Sequence, residues 1–414
     1  MAASWELLLE QARSAFGDRF GGEPASFGCA PGRVELLGNH TDYNGGLVMA
    51  AAIDRSTVVV GRRAEGRMAR VRSVNFGQSD TFGVDAIERT EEGEWTRYVR
   101  GVCWSLAQWQ GPFAAGFDAT IVGDVPLGAG LSSSASLQAS VAWFTIQLGL
   151  VPSRSAHDDA FAAGTDLPLM ELAGALRRSE NEFVGVGSGL LDQFTCLFGR
   201  ADHALFLDCA SLLHDRLPLG SPAPAIVVCD SKTSRRLADG MYDRRRAECD
   251  RVAAAFRDEF ARRGDFQLSW LTLEQLEAAW NRLDPVGRKR ARHVLRENER
   301  VRQGVEALKR GDLAAFGELM SLSHASSRDD FENSSPALDA LIEAAQGAPG
   351  FLGGKLSGAG WAGCTVNLVE GQHAHQFAEA VRTKYSRTTG TIPDIYVCRA
   401  ADGAFGRDLV PSGS

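Results

Sequence analysis

The sequence predicts an α+β protein built from two similar-sized halves, and three observations carry that reading. At 414 residues the chain has room for two or three domains of about 150 residues each. Helical and strand-like segments follow one another along its whole length, partly in alternation. No internal repeat and no long linker interrupts them, and the texture changes near residue 205. A division into 1–205 and 206–414 is therefore expected.

The elements read as follows. Trp5, Leu8, Leu9, Ala12 and Phe16 recur at helical spacing behind a capping Ser4, and Gly17 with Gly21-Gly22 is expected to end that helix. Phe27 to Leu37 reads as a strand pair broken at Pro31-Gly32. Val58 to Val60 and Phe117 to Val122 are rich in β-branched or aromatic residues and read as strands. Ser134 to Leu148 is a long apolar helix. Pro168 to Glu182 is a second, with a polar end carrying Arg177, Arg178, Glu180 and Glu182. Past residue 205, Ala225 to Asp230 reads as a strand and Arg244 to Arg257 as a charged helix. Gly287 to Lys309 is a helix dense in Arg and Glu, whose charges are expected on a solvated face. Phe351 to Val369 brings strands and glycines back.

Composition narrows the function classes. Apolar residues make up 44% and charged residues 23%, as in ordinary globular proteins, and the net charge is −8. Such an acidic chain has no global attraction for polyanions, which argues against a nucleic-acid surface while leaving room for a local anion site. The longest apolar runs, such as Leu47 to Ile53, fall far short of the ~18 residues a membrane span needs. The first ten residues lack the pattern of a secretory signal. Eight cysteines are scattered with no Cys-x-x-Cys, so reduced thiols in the cytoplasm are expected.

Three glycine-rich segments stand out. Pro31 to Gly46 packs Arg33, Asn39, His40, Asp42, Tyr43 and Asn44 between glycines, a density of hydrogen-bonding groups suited to a polyhydroxylated ligand or to an ordinary polar loop. The Asn39-His40-Thr41 sequon is noise without an export signal. Val125 to Ser136 joins a strand to a long helix. Gly128 and Gly130 let the backbone approach a ligand, Ser132, Ser133 and Ser134 add hydroxyls, and the helix N-terminus favours anions, so this segment reads as a phosphate cradle. It is no Walker A loop, because Gly-Lys-Ser/Thr is absent. Gly358, Gly360 and Gly363 fit G-x-G-x-x-G, but a strand follows where a dinucleotide fingerprint opens a helix. A tight turn approaching a ligand or another loop is expected instead. Ser179 to Gln193 contributes carboxylates; Asp192 by itself reads equally as a helix cap or a catalyst.

Together and in this order the segments resemble the GHMP small-molecule kinases, and within them the galactokinase family. The residues that carry the resemblance are Gly32-Arg33-Val34, Leu36, Gly38 and His40-Thr41-Asp42-Tyr43-Asn44; Pro126 to Ser136; Leu356 to Cys364; Glu180 with Leu191-Asp192-Gln193; Tyr242 to Cys249; and Arg328-Asp329-Asp330-Phe331. The resemblance implies a two-domain GHMP kinase fold with the active site in the interdomain cleft, and ATP-dependent phosphorylation of the anomeric hydroxyl of galactose. It implies Asp192 as base or orienting carboxylate and Arg33 beside it. It places Asn39, His40, Asp42 and Tyr242 at the sugar, and Ser133 and Glu180 as Mg²⁺ ligands. Gly128, Gly130, Ser132, Ser133 and Ser134 would wrap the phosphates of ATP, with Trp95 and Tyr98 near the adenine or simply in the core. A monomer is expected, with no nucleic-acid or membrane partner.

Two positions depart from the family pattern. Asn39 stands where galactokinases carry Glu, and Ala362 where the third motif has Gly. A neutral donor at 39 is compatible with galactose, or with a related sugar such as galacturonate, whose carboxylate a Glu would repel. A non-catalytic sugar-sensing relative is the remaining alternative; such relatives tend to have a damaged phosphate loop, whereas Ser132 to Ser136 is complete here.

Overall fold

A computed structural model describes residues 4–90, 94–151, 167–233, 240–257 and 266–409. In chain order the elements are α1 (Ser4–Phe20), β1 (Ser26–Leu37), β2 (Leu47–Ala64), β3 (Met68–Ser73), β4 (Gln78–Gly83), α2 (Glu94–Gln110), β5 (Gly116–Gly123), α3 (Ser133–Gln147), α4 (Leu167–Arg178), α5 (Leu191–Phe198), β6 (His203–Asp208), β7 (His214–Pro218), β8 (Ala225–Asp230), α6 (Met241–Phe256), α7 (Leu273–Ala278), α8 (Pro285–Lys309), α9 (Leu313–Ser326), α10 (Pro336–Gln346), β9 (Phe351–Leu356), β10 (Cys364–Val369), α11 (Ala374–Thr389), β11 (Asp394–Cys398) and β12 (Phe405–Asp408).

The strands form two sheets. The first runs β12-β1-β2-β5-β3-β4, with β6 pairing both β2 and β7; the second runs β11-β8-β10-β9. All pairings given for these strands are antiparallel except β3 with β5. The first sheet draws from both ends of the chain, since β12 pairs with β1 from Ser26↔Asp408 to Cys29↔Phe405. On one face of it Val59, Phe117 and Ala119 pack with Val102, Leu106, Phe144 and Phe194 of the helices. From its other side Val34, Leu36 and Met49 join Val228 and Val366 of the second sheet and Phe316 and Met320 of α9. The far face of the second sheet is covered by Leu341 of α10 and Phe377 of α11. Among the described residues no helix is long and apolar enough to cross a membrane.

Three local expectations change. Phe27 to Leu37 is one continuous strand, because a bulge between Pro31 and Gly32 absorbs the break and the missing proline N–H. The first helix runs through Gly17 to Phe20. The charges of α8 do not all face water: Arg290, His293, Glu297 and Asn298 are buried. They are satisfied by neighbours, as buried charges must be. Glu297 accepts from the backbone N–H groups of Gly38 (3.0 Å) and Asn39 (3.3 Å), and Arg290 pairs with Glu248 at 2.7 Å.

Candidate active site

Strand alternation places Arg33 and Glu35 on one face of β1 while Val34 and Leu36 fill the core on the other. Arg33 donates from Nε (2.7 Å) and Nη2 (2.6 Å) to Oδ1 of Asp192, and from Nη1 to the Gly130 carbonyl at 2.7 Å. Its amide N–H reaches Leu131 O at 3.1 Å. This approach requires glycine at 32, where an added Cβ would lie 2.8 Å from that same oxygen. Burial opposes the charge on Arg33, but the Asp192 carboxylate outweighs it and holds the guanidinium pKa above its ordinary value. Asp192 sits in the first turn of α5, two residues past the cap position at Leu190, so it does not cap the helix.

Ser132 donates its hydroxyl to Asp192 Oδ2. Its backbone is held at φ 54°, ψ 49° directly before α3. A non-glycine residue in that region costs about 1–3 kcal/mol, a strain that tends to persist at functional sites. Ser133 and Ser134 open α3, whose first N–H groups have no partner within the helix.

Glu180 lies in a π-helical turn, Ser179–Val184, that follows α4. Such insertions recur at functional sites. Its Oε2 accepts from Ser188 Oγ at 3.0 Å and from Gln193 Nε2. Burial first, then the nearby Asp192 charge, push its carboxyl above the usual range. Ser133 and Glu180 line the same cavity and carry hard oxygen donors. A divalent cation suits such a set, and its charge would relieve the strain on Glu180.

The loop after β1 is held from behind by the second half. Asn39 is 1% exposed and spends its whole amide inside the protein. Nδ2 donates to Glu35 Oε1 and to Gly358 O, both at 3.0 Å; Oδ1 accepts from Asn333 Nδ2 (2.9 Å) and Ser327 Oγ (3.2 Å). His40 lies 3.0 Å through Nε2 from the Ala359 carbonyl, which can only accept. The ring proton is therefore on Nε2, and Nδ1 accepts from Tyr43 OH at 2.9 Å. Burial lowers its pKa to about 3, so the ring is neutral at pH 7. Burial and the Glu35 charge raise the Asp42 carboxyl to about 6.

Arg33, Asn39, His40, Asp42, Gly128, Gly130, Ser132, Ser133, Ser134, Glu180, Asp192 and Tyr242 all line one cavity of about 580 Å³, and Gly358 to Gly360 line it as well. Trp95 and Tyr98 lie on α2, outside that lining. Trp95 packs in the core against Phe76 and donates Nε1–H to Gln78 at 3.0 Å. Two residues escaped the sequence reading. Glu35 lines the cavity, and the fully buried Lys355 donates to its Oε1 at 2.6 Å. A carboxylate two residues from Arg33 in an otherwise apolar strand was the available signal.

Fold and cavity together define the class, a small-molecule kinase of the GHMP type. The GHMP kinase N-terminal and C-terminal family models match residues 97–200 and 305–387. The structure also resembles a mevalonate kinase, with TM-score 0.58 at 16% identity over 91% of this chain and 99% of that one. The galactokinase galactose-binding signature matches residues 14–63. A galactokinase from Roseiflexus sp. is 42% identical over 94% of this chain and 95% of its own length; human galactokinase is 38% identical over 96% of each. The Lactococcus lactis galactokinase complexed with galactose superposes with TM-score 0.83 at 33% identity, covering 96% of this chain and 99% of the other. The chain belongs to the galactokinase family.

Proposed function

We propose that this enzyme transfers the γ-phosphoryl group of ATP to the anomeric hydroxyl of galactose, giving galactose 1-phosphate and ADP. The observation that carries the reading is the convergence of Arg33 and Ser132, the residue directly before α3, on Asp192 at the cavity wall. In this reading Asp192 orients the anomeric O–H and takes its proton as the sugar oxygen bonds to the γ-phosphorus. The bond to the β–γ bridging oxygen breaks and ADP departs. Arg33 holds Asp192 in place and offsets charge developing on the transferred group. The glycine and serine N–H groups from 128 to 134 cradle the phosphates. Ser133 and Glu180 are the residues that would hold Mg²⁺, which supplies charge neutralisation on the phosphates. Asp42 and Tyr242 face the sugar, while Asn39 and His40 brace the loop behind them. The 1–205 and 206–414 halves are proposed as the domains that flank the substrate, with β7 and β12 tying the second half to the first sheet.

The galacturonate alternative loses its basis. The Asn39 amide has no donor left for a uronate, and the Glu35 carboxylate beside it would repel one. A non-catalytic relative is disfavoured by the intact Arg33–Asp192–Ser132 set. Sugar-dependent ADP release across a panel of hexoses and galacturonate tests the reading: galactose should be the best substrate. Asp192→Asn should lose at least about a hundredfold in kcat while still binding galactose. Normal turnover by that variant would remove Asp192 from the mechanism.

A further inference from the structure

We infer that Glu35 is a specificity-determining residue of this site: its carboxylate, anchored by Lys355 and Asn39, accepts a sugar hydroxyl remote from the anomeric carbon. The inference rests on the kinase reading above and deepens it.

Four observations carry it. Glu35 lines the cavity although its side chain is only 8% exposed, so what exposure it has faces that space. Among the described residues both of its hydrogen bonds fall on Oε1, from Lys355 Nζ at 2.6 Å and Asn39 Nδ2 at 3.0 Å. Oε2 is not among the buried atoms left without a partner, so it retains exposure of its own. A carboxylate offers about four acceptor positions, so capacity remains for a ligand.

Next, Glu35 follows Arg33 on the same strand face. A rise of about 3.3 Å per residue separates the two backbones by about 7 Å, the scale of one pyranose ring with its hydroxyls. A sugar whose reacting oxygen meets Asp192 beside Arg33 would therefore bring the opposite side of its ring towards Glu35. Third, the Asn39 and His40 side chains beside it are spent. Both amide atoms of Asn39 and both ring nitrogens of His40 are bonded within the protein. Fourth, Lys355 comes from β9 in the second half, directly before the turn whose Gly358 carbonyl holds Asn39. The anchor is thus built across the cleft and fixes the carboxylate without filling the cavity.

The chemistry follows. An anchored carboxylate accepts a hydroxyl well and rejects an anionic substituent at the same place. The site should accordingly prefer a neutral pyranose bearing one particular hydroxyl.

The test uses the full chain in steady-state kinetics with Mg-ATP. The substrates are galactose and its 2-, 3-, 4- and 6-deoxy analogues; the proteins are wild type, Glu35→Gln and Glu35→Gln/Lys355→Met. The double variant removes the buried ammonium that Glu35→Gln leaves unpaired, and carries the readout if the single variant does not fold. For wild type, one deoxy analogue should lose about 10–100-fold in kcat/KM, the range for a hydrogen bond to a charged group. Glu35→Gln should lose a similar factor on galactose, mainly through KM, and little further on that one analogue. The KM for ATP should stay within about twofold. Equal losses on every sugar, or an unchanged galactose KM, would overturn the role of Glu35 and leave the kinase reading standing. A wild-type protein that phosphorylates no sugar would overturn both.

Discussion

Replacing Asn39 by Asp changes one atom group and reverses its hydrogen-bonding sense. In the native site Nδ2 donates to the Glu35 carboxylate and to the Gly358 carbonyl, both at 3.0 Å. An aspartate oxygen in its place would face two acceptors. The lost bond to Glu35, a charged partner, is worth about 1.5–3 kcal/mol, and that to Gly358 about 1 kcal/mol. Two full charges 3.0 Å apart repel by about 5 kcal/mol at an effective dielectric of 20. The pair avoids most of that by taking up a proton, which restores the bond to Glu35 but leaves Gly358 unpaired. The expected cost at pH 7 is about 3–5 kcal/mol relative to wild type. The sign of its pH dependence follows from the proton count. The folded variant holds one proton that its unfolded chain, with an ordinary Asp near pH 4, has released. Its deficit must therefore shrink as pH falls, by about 1.4 kcal/mol per unit. Urea unfolding of both proteins at pH 7 and pH 5 reads the effect, with the gap narrowing by about 2–3 kcal/mol. A deficit below about 1 kcal/mol at pH 7, or a gap that stays constant, would refute the reasoning.

Other expectations follow from the same geometry. Asp42 has its carboxyl raised to about 6, so the galactose KM should fall as pH rises through that value and Asp42 ionises; Asp42→Asn should flatten the profile between pH 5 and 8. Burial works against ionised Glu297, yet Arg300, His293 and Lys355 together bring its pKa down to about 2 from 4.5. The depressed folded pKa means its stabilisation is fully present above pH 4.5 and lost as pH falls through about 2. At neutral pH His293, its own pKa lowered by burial to about 4, is uncharged, so Arg300 and Lys355 supply what remains, and Glu297→Gln should lose about 1–3 kcal/mol in urea unfolding at pH 7. Ser132→Gly relieves the left-handed strain but removes the hydroxyl on Asp192. Its melting temperature should hold or rise while kcat falls about tenfold or more; unchanged kcat would show that the hydroxyl is dispensable.

How much of this was legible beforehand depended on range along the chain. Periodicity found α3, α8 and β8 because their signal is local, and the glycine-rich segments announced themselves by composition. Proline and glycine normally end a strand, so sequence alone splits β1 at Pro31-Gly32, and only the neighbours Ala30↔Thr57 and Gly32↔Ile53 show the register continuing past them. Sequence alone puts the charges of α8 in solvent, because nothing in the helix itself reveals that Gly38 and Asn39, some 260 residues away, need Glu297. The meaning of Asn39 inverted for the same reason. As a residue type it reads as a changed contact to the sugar; in place it is a fully bonded brace, with the Glu35 carboxylate beside it on the cavity wall. Such reciprocal satisfaction depends on four separate segments meeting, which no window of sequence contains.

The pairing of β12 with β1 has a consequence for how the chain is made. Ser26 and Asp408 are adjacent in the sheet yet about 380 residues apart in the chain. At synthesis rates of about 5–20 residues per second, β1 leaves the ribosome roughly 20–80 s before its outer partner exists. For that interval the growing first sheet presents β1 as a bare edge, with unpaired N–H and C=O groups that another strand can take. Newly made chains should therefore be more prone than finished ones to pair wrongly along the Ser26–Cys29 edge that β12 later covers.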